Sequence, residues 1–123
     1  MEQRIPPSGS GSLTDYERTY REFNWGAVAE EFDWSREGTL NVAAEAVDRH
    51  AQSWRRNKIA LYSVKASGDI QKFTFGEMAE LTSRLASGLE KLGAVKGDRI
   101  FVFLDRTSEL YISVLGITKM GGI

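Results

Sequence analysis

A chain of 123 residues, 41% hydrophobic and 27% charged, has the size and balance of one folded domain. Its formal net charge of −1 offers no attraction for nucleic acid or an anionic membrane, and its lack of cysteine excludes a disulfide framework, a thiolate metal site and a thiol nucleophile. The longest apolar stretch, around Leu110 to Ile117, is broken by Ser113 and Gly116. No signal peptide or spanning helix is therefore predicted, and a reducing, cytoplasmic setting is expected.

Taken from the start, "IPPSGSGS" at residues 5–12 has nothing to bury, so residues 1–12 read as a flexible leader and residues 13–123 as the folded portion. Thr14 and Glu17 have capping-box spacing, and Tyr16, Tyr20 and Phe23 follow at helical intervals. The rings of Trp25, Phe32 and Trp34 would clamp a short helix onto a larger body. "TLNVAAEAVDRHAQSW" predicts a surface helix with Leu40, Ala43, Val47 and Trp54 as its apolar stripe.

"KIALYSV" and "IQKFTF", joined by "KASGD", read as a β-hairpin. Thr74 and Glu77 form a second capping-box pair, followed by Met78, Leu81, Leu85, Leu89 and Leu92 along a long amphipathic helix that Gly93 ends. After the turn at "KGD", residues 99–104 carry an unbroken apolar run, the mark of a strand covered on both faces inside a parallel sheet. Thr107 caps a final helix that is apolar almost all round and needs cover on most sides. "GGI" then stops the chain where a strand–helix unit would return into its next parallel strand, so the polypeptide is expected to be cut mid-fold.

Phosphate-binding glycine turns follow a strand and open a helix, which aims free amides at the anion. Gly93 to Gly97 leave a helix and enter a strand, so they predict a structural turn. "GITKMGGI" begins like a Walker loop but has Gly122 and Ile123 where Lys and Ser or Thr are needed. "DRTS" at 105–108 lies at the carboxyl end of the predicted strand, where α/β sheets collect ligands. Arg106 suits an anion there, yet Asp105 and Glu109 set carboxylates beside it, and Thr107 to Glu109 already make sense as a cap and first turn. His50 is expected either to pack its ring or to place charge at a helix end, and Arg49, Arg55, Arg56 and Lys58 around Trp54 to form a solvated helix end. No catalytic, cofactor-binding or metal-binding residue is assigned.

As an ordered set, "YERTYREFNW", "GTLNVAAEAVDRHA", "NKIALYSV", "KFTFGEMAELTSRLASGLEKLGAVKGDRIFVFLDRTSELY" and "LGITKMGGI" resemble the N-terminal part of AMP-forming acetyl-coenzyme A synthetases, within the acyl-adenylate-forming enzymes. The resemblance implies an α/β fold. N-terminal helices, a β-hairpin and the first strand–helix unit of a mostly parallel sheet would together make a fragment of a larger adenylating domain. It also implies a carboxylate activated by ATP with Mg2+ to an acyl-adenylate, then transferred to coenzyme A. The family's phosphate loop, nucleotide motifs, acyl pocket and catalytic lysine have no counterpart here, so the fragment alone is expected to be inactive and to bind none of these cofactors. Asp105 and Ser108 stand where such proteins often have proline, and Gly122 replaces a commoner alanine. The expected partner is the remainder of the synthetase chain, with acetate or another short-chain acyl substrate in the intact enzyme. Two other readings stay open: an interaction module docking on a full synthetase, and a small nucleotide-binding domain using the 105–109 turn.

Overall fold

The computed structural model describes residues 15–30 and 40–123. The expected leader, the Thr14 cap and the rings of Phe32 and Trp34 lie outside the described residues. In chain order come α1 (Tyr16–Glu22), α2 (Trp25–Glu30), α3 (42–51), β1 (Ile59–Val64), β2 (Ile70–Thr74), α4 (Phe75–Lys91) and α5 (Ser108–Lys119). Asp15 supplies the cap of α1 by accepting the Arg18 amide at 3.0 Å. Tyr16 stacks on Tyr20, and Phe23 meets Trp25 edge to face, but these rings stay largely exposed. The expected clamp is therefore not formed by Trp25.

In α3 the turn from Ala44 to Asp48 is π-helical, and the Arg49 amide reaches back to the Ala44 carbonyl. The wider turn brings Ala43, Val47 and Ala51 onto one buried stripe. Leu40 and Trp54, expected in that stripe, are exposed instead. A uniform helical period places them on the stripe, whereas Leu40 precedes the helix and Trp54 falls in the turns after it.

The hairpin forms as expected, with antiparallel pairing from Ile59↔Thr74 to Val64↔Ile70. Thr74 leaves β2 and starts α4 through a complete capping box: its hydroxyl accepts the Glu77 amide, and the Glu77 carboxylate accepts the Thr74 amide at 2.8 Å. The helix stops at Gly93, whose φ of +98° is open to a residue without Cβ. There the Gly93 and Ala94 amides donate to the Glu90 and Leu89 carbonyls, each at 3.0 Å. The same paired stop recurs after α5, where the Gly121 and Gly122 amides bond Thr118 and Ile117.

The core lies where α3, α4 and α5 meet, around Ala43, Val47, Ala51, Met78, Ala86 and Ile117. Gly116 lets α5 approach α4: a Cβ there would stand 2.8 Å from Leu85 Cδ2. Thr82, fully buried in α4, donates its hydroxyl to the Met78 carbonyl at 2.8 Å, so its burial leaves no hydroxyl donor unpaired.

Polar ties lock this packing. Asn41 Oδ1 accepts the Ala43 and Ala44 amides at the head of α3, while its Nδ2 donates to the Thr118 and Lys119 carbonyls at the end of α5. One side chain thus caps two helices of opposite polarity. Lys119 Nζ donates to Asp48 Oδ1 at 2.7 Å, Ser83 Oγ at 3.0 Å and the Ala79 carbonyl at 3.3 Å. With 14% of its side chain exposed, the ammonium reaches α3 and α4 at once.

The strand expected over residues 99–104 is not formed as a regular strand, and these residues make no continuous ladder among the described residues. At their start the Ile123 amide donates to the Asp98 carbonyl at 2.8 Å, and the Ile100 amide donates to the Ile123 carbonyl at 2.8 Å. These two bonds are one rung of parallel pairing across the α5 crossover. The architecture is thus α/β, with helices, a hairpin and a strand–helix unit that begins its parallel return, as in a fragment of a larger domain. The expected sheet interior is absent around this segment: Phe101 is 96% and Phe103 101% exposed. A strand needs neighbours on both sides to be covered, and one rung supplies only its first contact.

Removing the double cap by Asn41→Ala is expected to cost about 1–3 kcal/mol, since a lost cap is worth about 1 kcal/mol and the freed carbonyls add to it. Gly116→Ala is expected to cost about 1–3 kcal/mol through the Leu85 clash, despite alanine's better helix propensity. Thermal unfolding followed by circular dichroism checks both; a melting temperature equal to wild type for either variant contradicts the packing described.

Candidate functional site

The two ends of the 99–104 segment differ in what they offer a ligand. At its entry, the amides of Gly93, Ala94, Val95, Gly97 and Asp98 are taken by protein acceptors. Gly93 and Ala94 serve the stop of α4, Val95 donates to the Asp98 carboxylate at 2.8 Å, and Asp98 donates to the Val95 carbonyl. Gly97, at φ +93°, donates to the Gly121 carbonyl at 2.9 Å and so ties this turn to the end of α5. These bonds give Gly93 to Gly97 the structural role that their direction in the chain predicts.

At the far end, Arg106, Thr107, Ser108 and Tyr111 face Leu61 to Val64 of β1 around a cavity of about 100 Å³. This is the position favoured for ligands in α/β folds. The Thr107 amide donates to the Asp105 carbonyl at 2.7 Å, and Ser108 is buried as the first residue of α5. The expected cap is present in position but works differently: the Thr107 side chain does not bond a first-turn amide. The Ser108 hydroxyl instead donates to the Glu109 carboxylate at 3.2 Å. Hydrogen bonds from the Thr107 hydroxyl, the Glu109 backbone amide and the Ser108 hydroxyl hold the Glu109 carboxyl below the ordinary glutamate value. The positive end of the helix thus already holds a carboxylate from its own first turn.

His50 and the arginines lie elsewhere. The His50 ring packs edge-on against Phe75 with 4.9 Å between centroids. Burial, followed by the charges of Arg49 and Arg55, lowers its pKa, and of the two expected roles the structure shows the packed ring. The basic residues disperse: Arg49 pairs with Glu45 at 3.4 Å, and Arg56 with Glu80 at 3.4 Å. Arg55 and Lys58 lie over the exposed Trp54 ring. This is a solvated helix end.

Among the described residues, no cluster of three or more His, Asp or Glu side chains is placed to hold a metal ion, and no helix is long and apolar enough to cross a membrane. Sequence reasoning does not single out Asn41 or Lys119. An asparagine before an apolar run is a legible cap signal, but its reach to α5 and the reach of Lys119 to Asp48 depend on the tertiary fold.

The fold defines a class: helices and an antiparallel hairpin leading into a strand–helix unit that begins a parallel return, as in a fragment of a larger α/β domain. The sequence profile of the AMP-binding enzyme family matches residues 47–123, and the chain belongs to this family. It is 47% identical over 116 residues to acetyl-coenzyme A synthetase of Bacillus subtilis, covering 94% of this chain and 20% of the relative. Against the acetyl-coenzyme A synthetase of Methanothrix thermoacetophila it is 44% identical over 91 residues, covering 73% and 14%. The crystal structure of Brucella canis acyl-CoA synthetase matches with a TM-score of 0.77 at 23% identity, over 88% of this chain and 19% of that one, a likeness of fold. The chain thus spans about a fifth or less of the length of these relatives.

The capped glutamates set a pH dependence. Bonds from Thr74 and from Thr107 lower the pKa values of Glu77 and Glu109 below 4.5 in the folded chain. Their stabilisation is complete above the unfolded value and is lost as pH falls through the lowered folded values. Acidification through the carboxylate range is expected to lower the amide protection factors, taken relative to the intrinsic exchange rate at each pH, in the first turns of α4 and α5, and E77Q/E109Q to flatten that response. An unchanged acid response in the double variant contradicts the assignment.

Proposed function

We propose that this chain is the N-terminal structural portion of an AMP-forming acetate, or short-chain acyl, coenzyme A ligase. The observation that carries this reading is the 47% identity to a Bacillus acetyl-coenzyme A synthetase along 116 residues. In the intact enzyme, ATP with Mg2+ would activate the carboxylate as an acyl-adenylate, and coenzyme A would then accept the acyl group. The contribution of these residues is positional. The α4–α5 pair fixes the line of the 99–104 segment, and the Asn41 and Lys119 ties hold α3 against that pair, so that a sheet bearing the reaction site would have a fixed edge to build on.

No residue in this portion is assigned to the reacting atoms. The Glu109 carboxylate argues against use of the 105–109 turn as an independent nucleotide site, because a phosphate placed there would face a fixed like charge. Acetate-dependent exchange between ATP and pyrophosphate is expected to be absent in the purified 123-residue chain and present in a full-length synthetase containing it. Robust exchange by the purified chain overturns the structural role.

A further inference from the structure

His50 is the one histidine of the sequence and stands half-buried in the last turn of α3, its ring edge-on to Phe75 at the start of α4. Its Nδ1 lies 3.4 Å from Arg55 Nη1. A guanidinium only donates, so Nδ1 must accept, which puts the ring's one proton on Nε2 and leaves the imidazole neutral. The charged groups that act on the ring are Arg49 and Glu45 from α3 and Arg55 from the turn that follows. Glu45 is engaged by Arg49 at 3.4 Å. From α4 the ring meets Phe75, and the Glu77 and Glu80 carboxylates of that helix are taken by Thr74 and Arg56, while from α5 the Lys119 ammonium is held by Asp48. The negative end of α3 draws a cation, but Arg56 Nη1 already donates to the Ala51 carbonyl, and the Ser53 amide and hydroxyl to the His50 carbonyl. A proton on Nδ1 therefore meets a donor and two cations.

The turn that carries Arg55 also completes the cap of α4. The first amides of a helix have no partner within it. In α4 the Glu77 amide goes to the Thr74 hydroxyl, but the Phe75 and Gly76 amides donate outward, to the Lys58 and Arg56 carbonyls, each at 3.0 Å. Arg55 sits between these anchors: its amide donates to Ser53 Oγ at 3.1 Å, and its carbonyl accepts the Lys58 amide at 2.8 Å. The fit is close, since a Cβ on Gly76 would stand 3.2 Å from Arg56 Cγ. Residues 53–58 thus cap α4 from outside, and the Arg55 contact fastens them to α3.

We propose that the His50–Arg55 contact is a pH-sensitive latch: protonation turns Nδ1 from acceptor to donor, expels the Arg55 guanidinium and loosens the 53–58 turn from the first turn of α4. Burial and the two arginines lower the His50 pKa below the ordinary 6.5, which sets the direction. The neutral ring's contribution is complete above 6.5, declines as pH falls from there to the lowered folded value, and changes no further below it. Glu77 responds at lower pH, below 4.5.

The test is a nuclear magnetic resonance titration of the nitrogen-labelled chain, in which a single histidine gives one set of imidazole signals. The expected result at neutral pH is a ring protonated on Nε2. Between about pH 7.5 and about pH 5.5 the protection factors of the Lys58, Phe75 and Gly76 amides, taken relative to intrinsic exchange at each pH, should fall at least about threefold in step with the ring. The Thr82 amide in the middle of α4 should hold its value. His50→Asn offers Arg55 an acceptor that does not titrate, so it should keep the neutral-pH protection and abolish this response. Arg55→Gln, at an exposed position, keeps a donor without the charge and should raise the His50 midpoint and shrink the fall.

A ring protonated on Nδ1 at neutral pH overturns the latch. So does a His50 titration that leaves Phe75 and Gly76 protection unchanged, because Arg55 then swings away without moving the turn. An undiminished response in Arg55→Gln overturns it as well, and this variant decides the matter if His50→Asn does not fold.

Discussion

The close approach of α4 and α5 at Gly116 is the constraint on which the described fold depends. A glycine there lets the Leu85 side chain lie directly on the α5 backbone, which brings Ile117 into the core and Lys119 within reach of Asp48 and Ser83. Asn41 then bonds the carbonyls that α5 leaves open at its end. Apolar contact supplies most of the driving force at such a junction, while the polar ties choose one arrangement among several that would bury similar area. The Gly97 bond to Gly121 extends the same junction to the turn before residues 99–104. Position thus passes from the helix pair to the segment that begins the sheet.

Much of this was legible in the sequence because it is local. The Thr74–Glu77 box, the hairpin turn and the glycine stop after α4 each need only a few neighbouring residues, and each forms as read. What was not legible depends on distant partners. The ends of α3 are set by its surroundings, so Leu40 falls before the helix and Trp54 in the turns after it, while Ala51 joins Ala43 and Val47 on the buried stripe. Residues 99–104 had the composition of a covered strand, but composition does not provide the neighbours that cover it.

The candidate site shows the same division. Chain direction alone identified the glycine turn as structural and pointed to residues 105–109 as the end where a ligand would sit. It did not tell whether Glu109 would repel an anion from nearby or occupy the seat itself. Both outcomes use the same residues in the same order, and the bond from the Ser108 hydroxyl to the Glu109 carboxylate is visible only in the folded chain.

The rung at Ile123 also bears on the order of events during synthesis. Its partners, Asp98 and Ile100, are separated from it by little more than one helix, so the closure is local and loses little chain entropy. It is available as soon as Ile123 clears the ribosome. Any strand that covers Phe101 and Phe103 from a more distant part of a long chain arrives later, because non-local parallel pairing is slow. In that interval the nascent chain displays two bare phenylalanines beside an open edge, a surface on which aggregation and chaperone capture compete with correct assembly.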